Sequence, residues 1–315
     1  MPATENRQTH IVVIGSINMD LVARVDRLPR AGETVHGLDL LQVPGGKGAN
    51  QAVAAARLGA RSTMIGRVGD DGFGQELKKS LRSAGVGIDH VSVTERCSSG
   101  VALIGVDQSG QNTITIVAGA NGRMTPADVS RVDSVIASAD AIMLQLEIPI
   151  PAVEWALAAA RRHGVLSVLD TAPAPQAELP PTLFEADIIS PNQTEAEQLT
   201  GIEVRNPDDA IRAAQVLRRR GARYVIIKLG EQGALSVDQD SRATHVAAAS
   251  VQVVDTTAAG DAFTAAVALG FAEGLSPVES VRFGCAAGTL AATGLGAQQS
   301  LPTRAEVEQF RAAHM

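Results

Sequence analysis

Residues 255–263 read Asp-Thr-Thr-Ala-Ala-Gly-Asp-Ala-Phe, a run of small residues that leads into a helix with an acid in its first turn. Apolar residues then recur at the spacing of one helical face, at Phe263, Ala266, Val267, Gly270 and Phe271. The pattern predicts a helix that begins between Ala259 and Asp261. Unpaired N–H groups and the positive end of the helix dipole attract anions there, and Ala-Gly allows close approach to the backbone. We therefore expect a phosphate group to bind at this helix start.

Asp261 places a carboxylate beside the predicted phosphate site at the helix start. Its carboxylate would repel a bound phosphate unless a third group lay between them. A hydroxyl that loses its proton to the acid while it attacks phosphorus is such a group. The motif therefore favours phosphoryl transfer to an alcohol. An acid in a first turn also stabilises the helix dipole without any catalysis, and the motif alone leaves that alternative open.

Length, charge and cysteine content limit the class of protein. A chain of 315 residues suits one α/β domain with a modest appendage. The net charge is −7 and the only basic run is Arg218–Arg220, so we expect no nucleic-acid partner. Two cysteines, Cys97 and Cys285, are too few and too separated for a disulfide framework or a zinc site. Residues 1–9 are polar and no apolar run reaches the length of a membrane span, so we expect a cytoplasmic protein without a membrane partner.

Short β-rich runs alternate with capped helices through most of the chain, which is typical of a mostly parallel sheet covered on both faces. The predicted strands are Ile11–Gly15, Thr63–Val68, Ala141–Leu146, Leu166–Leu169, Asp187–Ser190, Tyr224–Lys228 and Ala234–Val237. Helix starts with a capping residue three positions before an acid are predicted at Thr125, Asn206, Ser276 and Thr303. Glycines that would end helices are Gly59, Gly164, Gly201 and Gly221.

Two stretches, residues 16–44 and 98–119, depart from the alternation of strands and helices. They contain short segments of alternating apolar and polar residues joined by turn residues. They predict hairpins that pair outside the main sheet, as a small β-sheet lid. The remainder, residues 1–15, 45–97 and 120–315, would form the nucleotide- and sugar-binding core. The predicted fold class is therefore an α/β three-layer sandwich with a mostly parallel central sheet and a β lid. A lid of this kind excludes water from phosphoryl transfer.

Polar residues gather at the ends of the predicted strands. They are Asn18, Asp20, Glu147, Asp170, Asn192 and Lys228. In open α/β sheets the binding crevice lies beyond the carboxyl ends of the strands, so these side chains are expected to share one site.

A second glycine-rich loop, Pro44–Gln51, precedes an Ala-rich helix that ends at Leu58-Gly59. Its spacing matches neither a Walker A loop nor a Rossmann fingerprint. The glycines would let the backbone approach a ligand, and Asn50 could bind hydroxyls as both donor and acceptor. A tight turn before a packed helix explains the same residues equally well.

Three further motifs are ambiguous on their own. Asn18 and Asp20 lie two apart in an extended segment and so share a face, which suits the vicinal hydroxyls of a sugar but also turn capping. Asn192 and Glu195 form a capping box, or could hold Mg²⁺ through its waters beside a triphosphate. Residues 228–233 indicate a strand end and a glycine turn that could lie under a nucleotide.

Taken together, these residues resemble the ribokinase-like carbohydrate kinase family, also called the PfkB family. The resemblance runs from about Ile11 to Pro302 and includes both family motifs, Gly45–Asn50 and Asp255–Asp261, in the right order. Further matching segments are Gly15–Leu21, Gln145–Pro149 and Gly296–Ser300.

The resemblance implies a role for each matching residue. Asp261 would be the base that deprotonates the sugar, and the N–H groups of Ala258, Ala259 and Gly260 would form an anion hole for the transferring phosphoryl group. The sugar would be held by Asn18, Asp20, Gly45, Gly46, Lys47, Asn50 and Glu147. Asn192 and Glu195 would support the magnesium–phosphate end, and Lys228, Gly230 and Gly233 would lie along ATP. By the same resemblance Cys285 would lie near the nucleotide, at a position where members often carry Asn. A monovalent cation, K⁺, would bind at Asp255, Thr257, Ala291, Gly294, Gly296 and Ser300.

The reaction implied by the resemblance is transfer of the γ-phosphoryl group of ATP to the 5-hydroxyl of D-ribose, with Mg²⁺ as cofactor and K⁺ as activator. Family members commonly dimerise through the β lid, which implies a homodimer. A related kinase acting on fructose, deoxyribose or a nucleoside is the nearest alternative, although residues 16–44 offer no aromatic surface for a base. A sugar-binding sensor without catalysis is the alternative from another class, and an intact Asp261 argues against it.

Overall fold

Two β-sheets organise the chain in the computed structural model, which describes residues 7–174 and 177–314. Within those ranges the strands form a nine-stranded main sheet and a four-stranded small sheet. Parts of the predicted core segments 1–15 and 120–315, namely residues 1–6, 175, 176 and 315, lie outside the described residues.

The main sheet is mostly parallel. Its strands are β1 (His10–Ile14), β4 (Arg61–Gly69), β5 (Gly87–Thr94), β8 (Ala141–Leu144), β9 (Leu166–Leu169), β10 (Ile188–Ile189), β11 (Tyr224–Lys228), β12 (Ala234–Val237) and β13 (Ala243–Val246). The spatial order is β13-β12-β11-β10-β9-β8-β1-β4-β5. Only the pairs β11–β12 and β12–β13 are antiparallel, and Val12 in the parallel part pairs with both Thr63 and Ile142.

Helices cover both faces of the main sheet. They are α1 (Lys47–Arg57), α2 (Gly72–Ser83), α3 (Pro126–Ser130), α4 (Asp133–Ala137), α5 (Ile150–His163), α6 (Gln193–Thr200), α7 (Pro207–Arg219), α8 (Ala259–Ala272), α9 (Pro277–Ala291) and α10 (Arg304–His314). Alternate residues of β1 face opposite sides: Val13 packs in the cluster of α1, α2, α8, α9 and α10, and Ile14 in that of α5, α6 and α7. The predicted α/β three-layer fold class is confirmed.

The small sheet contains β2 (Asn18–Val25), β3 (Gly37–Gly45), β6 (Gly100–Val106) and β7 (Asn112–Val117) in the order β3-β2-β6-β7. The pair β2–β6 is parallel and the two outer pairs are antiparallel. These strands lie in the segments 16–44 and 98–119 except for Gly45, the last residue of β3. The division into a core and a lid stays a prediction. At Gly45 the chain passes almost directly into α1, which joins the small sheet to the helix layer.

The predicted strands differ from the observed ones mainly at the edges of the main sheet. β9, β11 and β12 match residue for residue, whereas the strand predicted to end at Leu146 ends at Leu144. β5 and β13 were not predicted, because as edge strands they carry polar and exposed residues that obscure the apolar pattern. Among the described residues, no helix is both long and apolar enough to cross a bilayer.

Candidate active site

The start of α8 is an open helix end. α8 begins at Ala259, within the predicted range, and the preceding residue, Ala258, adopts a left-handed conformation with φ +60°. In the described part of the chain the N–H groups of Ala258 and Gly260 have no protein acceptor, while the N–H of Ala259 donates to Thr256 O at 3.2 Å. Two of the three N–H groups of the predicted anion hole are therefore free to bind an anion.

Asp261 lies in the first turn of α8 and is 5% exposed. Both of its oxygens accept hydrogen bonds from side-chain amides of α1. Asn50 Nδ2 donates to Oδ2 at 3.0 Å, and Gln51 Nε2 donates to Oδ1 at 3.1 Å. The carboxylate is therefore fixed next to the free N–H groups of the helix start.

The surroundings of Asp261 make its carboxylate more basic than usual. Burial raises its pKa to about 6, the positive charge of Lys47 opposes this shift, and the negative charge of Asp170 adds to it. The amide hydrogen bonds from Asn50 and Gln51 also act to lower the pKa. A carboxylate with such a pKa is ionised at neutral pH and is still basic enough to take a proton from an alcohol.

Lys47 supplies the positive charge on the α1 side of the site. Burial disfavours its charged form, but the carboxylates of Asp261, Asp170, Glu147 and Glu195 outweigh that effect and raise the pKa of Lys47. Its ammonium group therefore stays charged. Its backbone N–H also donates to Glu147 Oε2 at 3.1 Å.

The glycine loop approaches β2 so closely that side chains would not fit. A Cβ on Gly45 would lie 2.2 Å from Asp20 Oδ2. Gly46 has a φ of +88°, and a Cβ there would lie 2.7 Å from Asn18 N. The loop and the two polar residues of β2 therefore line one corner of the site.

Asn18 and Asp20 are held differently within that corner. Asn18 Oδ1 accepts a hydrogen bond from Asn121 Nδ2 at 2.7 Å, and Asn121 also binds the backbone N–H and C=O of Ile17. Burial, together with the nearby Glu147 and Asp261, raises the pKa of Asp20 to about 7, and Lys47 partly opposes the shift. Glu147 accepts from Ser16 Oγ as well as from the Lys47 backbone. The corner thus offers both hydrogen-bond donors and hydrogen-bond acceptors to a ligand with several hydroxyl groups.

Asn192 and Glu195 form a complete capping box at the start of α6. Asn192 Oδ1 accepts from Glu195 N at 2.8 Å, and Asn192 N and Nδ2 donate to the two Glu195 oxygens at 2.9 and 2.8 Å. Thr171 also donates to Glu195 Oε2 at 3.1 Å. Each side-chain oxygen of the pair already accepts a hydrogen bond within the protein, and the pair suits contact with a hydrated Mg²⁺ through its waters.

Lys228 forms an ion pair with Asp170 near the start of α8. Lys228 Nζ lies 2.9 Å from Asp170 Oδ1, and both groups are largely buried. The same nitrogen lies 4.0 Å from the position that a Cβ on Gly260 would occupy. A second positive charge therefore stands beside the free N–H groups.

The glycine turn after Lys228 contains Gly230 and Gly233, and Cys285 packs near it. Gly230 and Gly233 have positive φ angles of 60° and 91°, and a Cβ on Gly233 would lie 2.0 Å from Val246 O. Cys285 is buried, with its Sγ 3.8 Å from the same oxygen, and burial raises the pKa of the thiol to about 12. The thiol is thus packed behind the glycine turn.

The residues predicted for a monovalent cation come from the loop that precedes α8 and from the end of α9 with the loop that follows it. Asp255 Oδ1 accepts from Thr257 N at 2.9 Å and from Thr257 Oγ1 at 2.6 Å, and Oδ2 accepts from Gly296 N at 3.0 Å. Burial acts to raise the pKa of Asp255, but these hydrogen bonds outweigh it and lower the pKa. Gly294 packs against Ser300, with Ala291 O at 3.8 Å from its Cβ position. The region therefore brings together a carboxylate, hydroxyls and a backbone oxygen. In residues 7–174 and 177–314 no group of three or more His, Cys, Asp or Glu side chains is placed to hold a metal.

Several residues that shape the site were not predicted from the sequence. Gln51, Gln145, Asn121 and Thr264 are all fully or nearly fully buried around the polar cluster. Gln51 adjoins Asn50 in the glycine loop, which was the one available hint. The others act through contacts with residues far away in the chain, and sequence spacing does not reveal such contacts.

Comparisons with known proteins agree on one family. The family model described as pfkB family carbohydrate kinase matches residues 8–304. A ribokinase from Haemophilus influenzae is 40% identical over 300 residues, which cover 95% of this chain and 97% of that protein. A deoxyribokinase from Salmonella typhi is 36% identical over 300 residues, with 95% of this chain and 97% of that protein covered.

A solved structure described as Arabidopsis thaliana ribokinase complexed with ribose and ATP has the same fold. Its TM-score to this chain is 0.89 at 34% identity, and the match covers 96% of this chain and 99% of that one.

Proposed function

This chain belongs to the pfkB family of carbohydrate kinases, and on that premise we propose that it transfers the γ-phosphoryl group of ATP to the 5-hydroxyl of D-ribose. It is a phosphotransferase with an alcohol group as acceptor. The observation that carries the proposal is the position of Asp261, held by two amides beside the free N–H groups at the start of α8. The ribokinase relatives support ribose as the acceptor.

In the proposed mechanism Asp261 acts as the general base. The primary hydroxyl of the sugar would lie between its carboxylate and the helix start. The carboxylate would take the proton as the oxygen attacks the γ-phosphorus, while the bond from that phosphorus to the β,γ-bridging oxygen breaks and ADP leaves. The hydrogen bonds from Asn50 and Gln51 hold the carboxylate in place before the substrate arrives. Catalysis by this group depends on its being ionised, which its pKa of about 6 allows at neutral pH.

The start of α8 would stabilise the charge that develops on the transferring group. The N–H groups of Ala258 and Gly260 are available for its oxygens, and the positive end of the helix dipole adds to their effect. Ala259 completes the backbone turn, although its own N–H is engaged by Thr256. Lys228 stands beside this hole and would contact the phosphates of ATP, with Gly230, Gly233 and Cys285 further along the nucleotide.

The sugar would be held in the corner made by the glycine loop and β2. Its proposed ligands are Asn18, Asp20, Gly45, Gly46, Lys47, Asn50 and Glu147. The close approach of Gly45 and Gly46 to β2 supports this assignment, because it leaves polar backbone and side-chain groups facing a small ligand.

Two ions complete the proposal. Mg²⁺, contacted through its waters by Asn192 and Glu195, would neutralise negative charge on the phosphates. K⁺ would be held by oxygens of the two loops that contain Asp255, Thr257, Ala291, Gly294, Gly296 and Ser300, and would add positive charge next to the anion hole. The ionised Asp255 carboxylate, whose pKa is lowered by its hydrogen bonds, supports a cation there.

We also propose that the protein is a cytoplasmic homodimer joined through the small sheet. Leu41 pairs with Val22, Val22 with Ile104, and Ile104 with Ile114, so the four share one face and form an apolar row across all four strands. Leu41 and Ile114 at its ends are 47% and 55% exposed. Both cysteines are free thiols, as is typical of a reducing compartment.

The acceptor is tested by measuring ADP release on a panel of ribose, 2-deoxyribose, fructose and adenosine at fixed ATP and K⁺. We expect the highest kcat/KM for ribose. Because one relative is a deoxyribokinase, 2-deoxyribose is the second candidate, and a higher kcat/KM for it would move the assignment to that sugar. ADP release that no sugar or nucleoside stimulates would refute the proposed reaction.

A further inference from the structure

Gln51 is a fully buried side chain that links two carboxylates. Its Nε2 donates to Asp261 Oδ1 at 3.1 Å and to Asp170 Oδ2 at 3.0 Å. Ionised carboxylates only accept hydrogen bonds, so both amide hydrogens of Gln51 are needed to satisfy them. One amide group therefore separates two acids that would otherwise face each other in a buried site.

The orientation of the Gln51 amide is itself fixed by a second glutamine. Gln145 Nε2 donates to Gln51 Oε1 at 2.5 Å, which requires that the nitrogen of Gln51 points toward the carboxylates. Gln145 is fully buried as well, and it fits only because residue 15 is glycine: a Cβ there would lie 1.9 Å from Gln145 Oε1. The two glutamines thus form a polar chain that runs from the end of β8 to Asp261.

Asp170 has further partners that balance its charge without involving Asp261. Lys228 Nζ lies 2.9 Å from its Oδ1, and Thr264 Oγ1 donates to its Oδ2 at 3.2 Å. Asp261 has no comparable cation within hydrogen-bond distance among the described residues, and its two bonds come from amides. The position and the pKa of the Asp261 carboxylate therefore depend strongly on Gln51.

We propose that Gln51 is a positioning residue for the general base: oriented by Gln145, it holds Asp261 in place and shields it from Asp170. The assignment rests on the proposed function. It predicts that loss of the Gln51 amide favours the protonated form of Asp261, because a donor to the ionised form is removed and the Asp170 charge is no longer screened. Lys47 and Asp20 are the other charged groups that act on Asp261, and Glu147, Glu195 and Lys228 are charged neighbours of these residues and of Asp170. The substitution changes none of them.

The test compares pH profiles of kcat for ribose phosphorylation in three variants. Gln51→Met keeps the length and burial of the side chain but has no donor. The acid limb of its profile, where kcat falls as the pH is lowered, should shift to higher pH by about one unit, the scale of one hydrogen bond to a charged group. On the high-pH plateau kcat should fall by less than about tenfold. Gln145→Met removes the bond that orients Gln51 and leaves Gln51 in place, so its limb should move in the same direction by a smaller amount.

Thr264→Val is the matched control, because it deletes a buried hydroxyl that bonds to Asp170 Oδ2 and to Gly260 O and leaves both bonds to Asp261 intact. The acid limb of its profile should lie within about 0.3 pH unit of the wild-type limb, a difference well below the shift expected from one hydrogen bond to a charged group. The KM for ATP should not change in either glutamine variant, and a thermal melt of each protein establishes that it is folded.

An upward shift in both glutamine variants, absent in the threonine variant, supports the assignment. An active wild-type enzyme whose acid limb does not move in Gln51→Met overturns it, and so does an equal shift in Thr264→Val. Should Gln51→Met fail to fold, an acid limb that does not shift in Gln145→Met also overturns the assignment. A wild-type protein that phosphorylates none of the sugars overturns the proposed function instead, and the assignment with it.

Discussion

Asn50 Nδ2 donates a hydrogen bond of 3.0 Å to Asp261 Oδ2, and these two residues are 211 positions apart in the chain. Each lies in the first turn of a helix, α1 for Asn50 and α8 for Asp261. The bond therefore brings the two helix starts together, with the loop beside β2 on one side and the free N–H groups of α8 on the other. A hydroxyl placed between them has the base and the anion hole within reach at the same time.

Replacing Asp261 by Asn should remove the base and keep the shape of the side chain. We expect kcat for ribose to fall by roughly 10² or more, with a modest change in KM, because proton transfer contributes to the transition state and little to binding. ADP release at saturating ribose measures the effect. Near wild-type turnover in a folded Asp261→Asn protein would remove Asp261 from the mechanism.

Asp128→Asn provides the control for that experiment. Asp128 is also a buried carboxylate, but its ion pairs are with Arg67 and Arg131 and none is with the site. Its variant should lose stability and retain kcat. Loss of kcat in both variants would show that disturbing any buried acid impairs this enzyme.

The raised pKa of Asp261 also has a consequence for stability. Its pKa is about 6 in the folded protein against an ordinary value of 3.8, so between these values the folded state binds more protons than the unfolded state. As the pH falls through this window, the wild type should gain unfolding free energy relative to Asp261→Asn, by at most about 3 kcal/mol for a shift of this size. Urea unfolding of both proteins from pH 7 to pH 4 measures the difference. A difference that stays constant across this range contradicts the raised pKa.

Gly45→Ala should weaken sugar binding selectively. A Cβ there would lie 2.2 Å from Asp20 Oδ2, so either β3 or the Asp20 side chain has to move. We expect the KM for ribose to rise by about tenfold or more, a loss of roughly 1.4 kcal/mol or more in binding, with the KM for ATP unchanged. Gly37→Ala, at the other end of the same strand, is the control, since its nearest neighbour would be Arg24 O at 3.6 Å. Equal KM values for ribose in the two variants would argue against close packing at Gly45.

The main sheet could largely be predicted from the sequence, because its strands are short apolar runs bounded by glycine, proline or capping residues. β11 and β12 were predicted residue for residue for that reason. The edge strands β5 and β13 could not, since an exposed edge carries polar side chains. The helix start at Ala259 was predictable from local pattern, whereas Gln51 was not, because its partner Asp261 lies 210 residues away and its role arises only on folding.

Replacing K⁺ by a bulky organic cation such as tetramethylammonium should lower kcat. The region around Asp255 contains its carboxylate, the hydroxyl of Thr257 and the backbone oxygen of Ala291, and an ion too large to fit among them would not be bound. Activity measured against KCl concentration at constant ionic strength should show saturation. The Asp255→Asn variant, which keeps the acceptor for Thr257 but loses the charge and the acceptor for Gly296 N, should require more K⁺. Equal activity in both salts would exclude an activating cation site.

Ile114→Lys should dissociate the proposed homodimer. Ile114 is 55% exposed at one end of the apolar row that runs from Leu41 across the small sheet, and a charge there would be buried without a partner on association. Light scattering after size-exclusion chromatography should report a dimer for the wild type and a monomer for this variant. Trp155→Lys is the control, because Trp155 is 43% exposed on α5, outside the small sheet, and its loss should leave the dimer intact. A wild type that is monomeric at high concentration, or a dimer that tolerates the lysine at position 114, would exclude the small sheet as the interface.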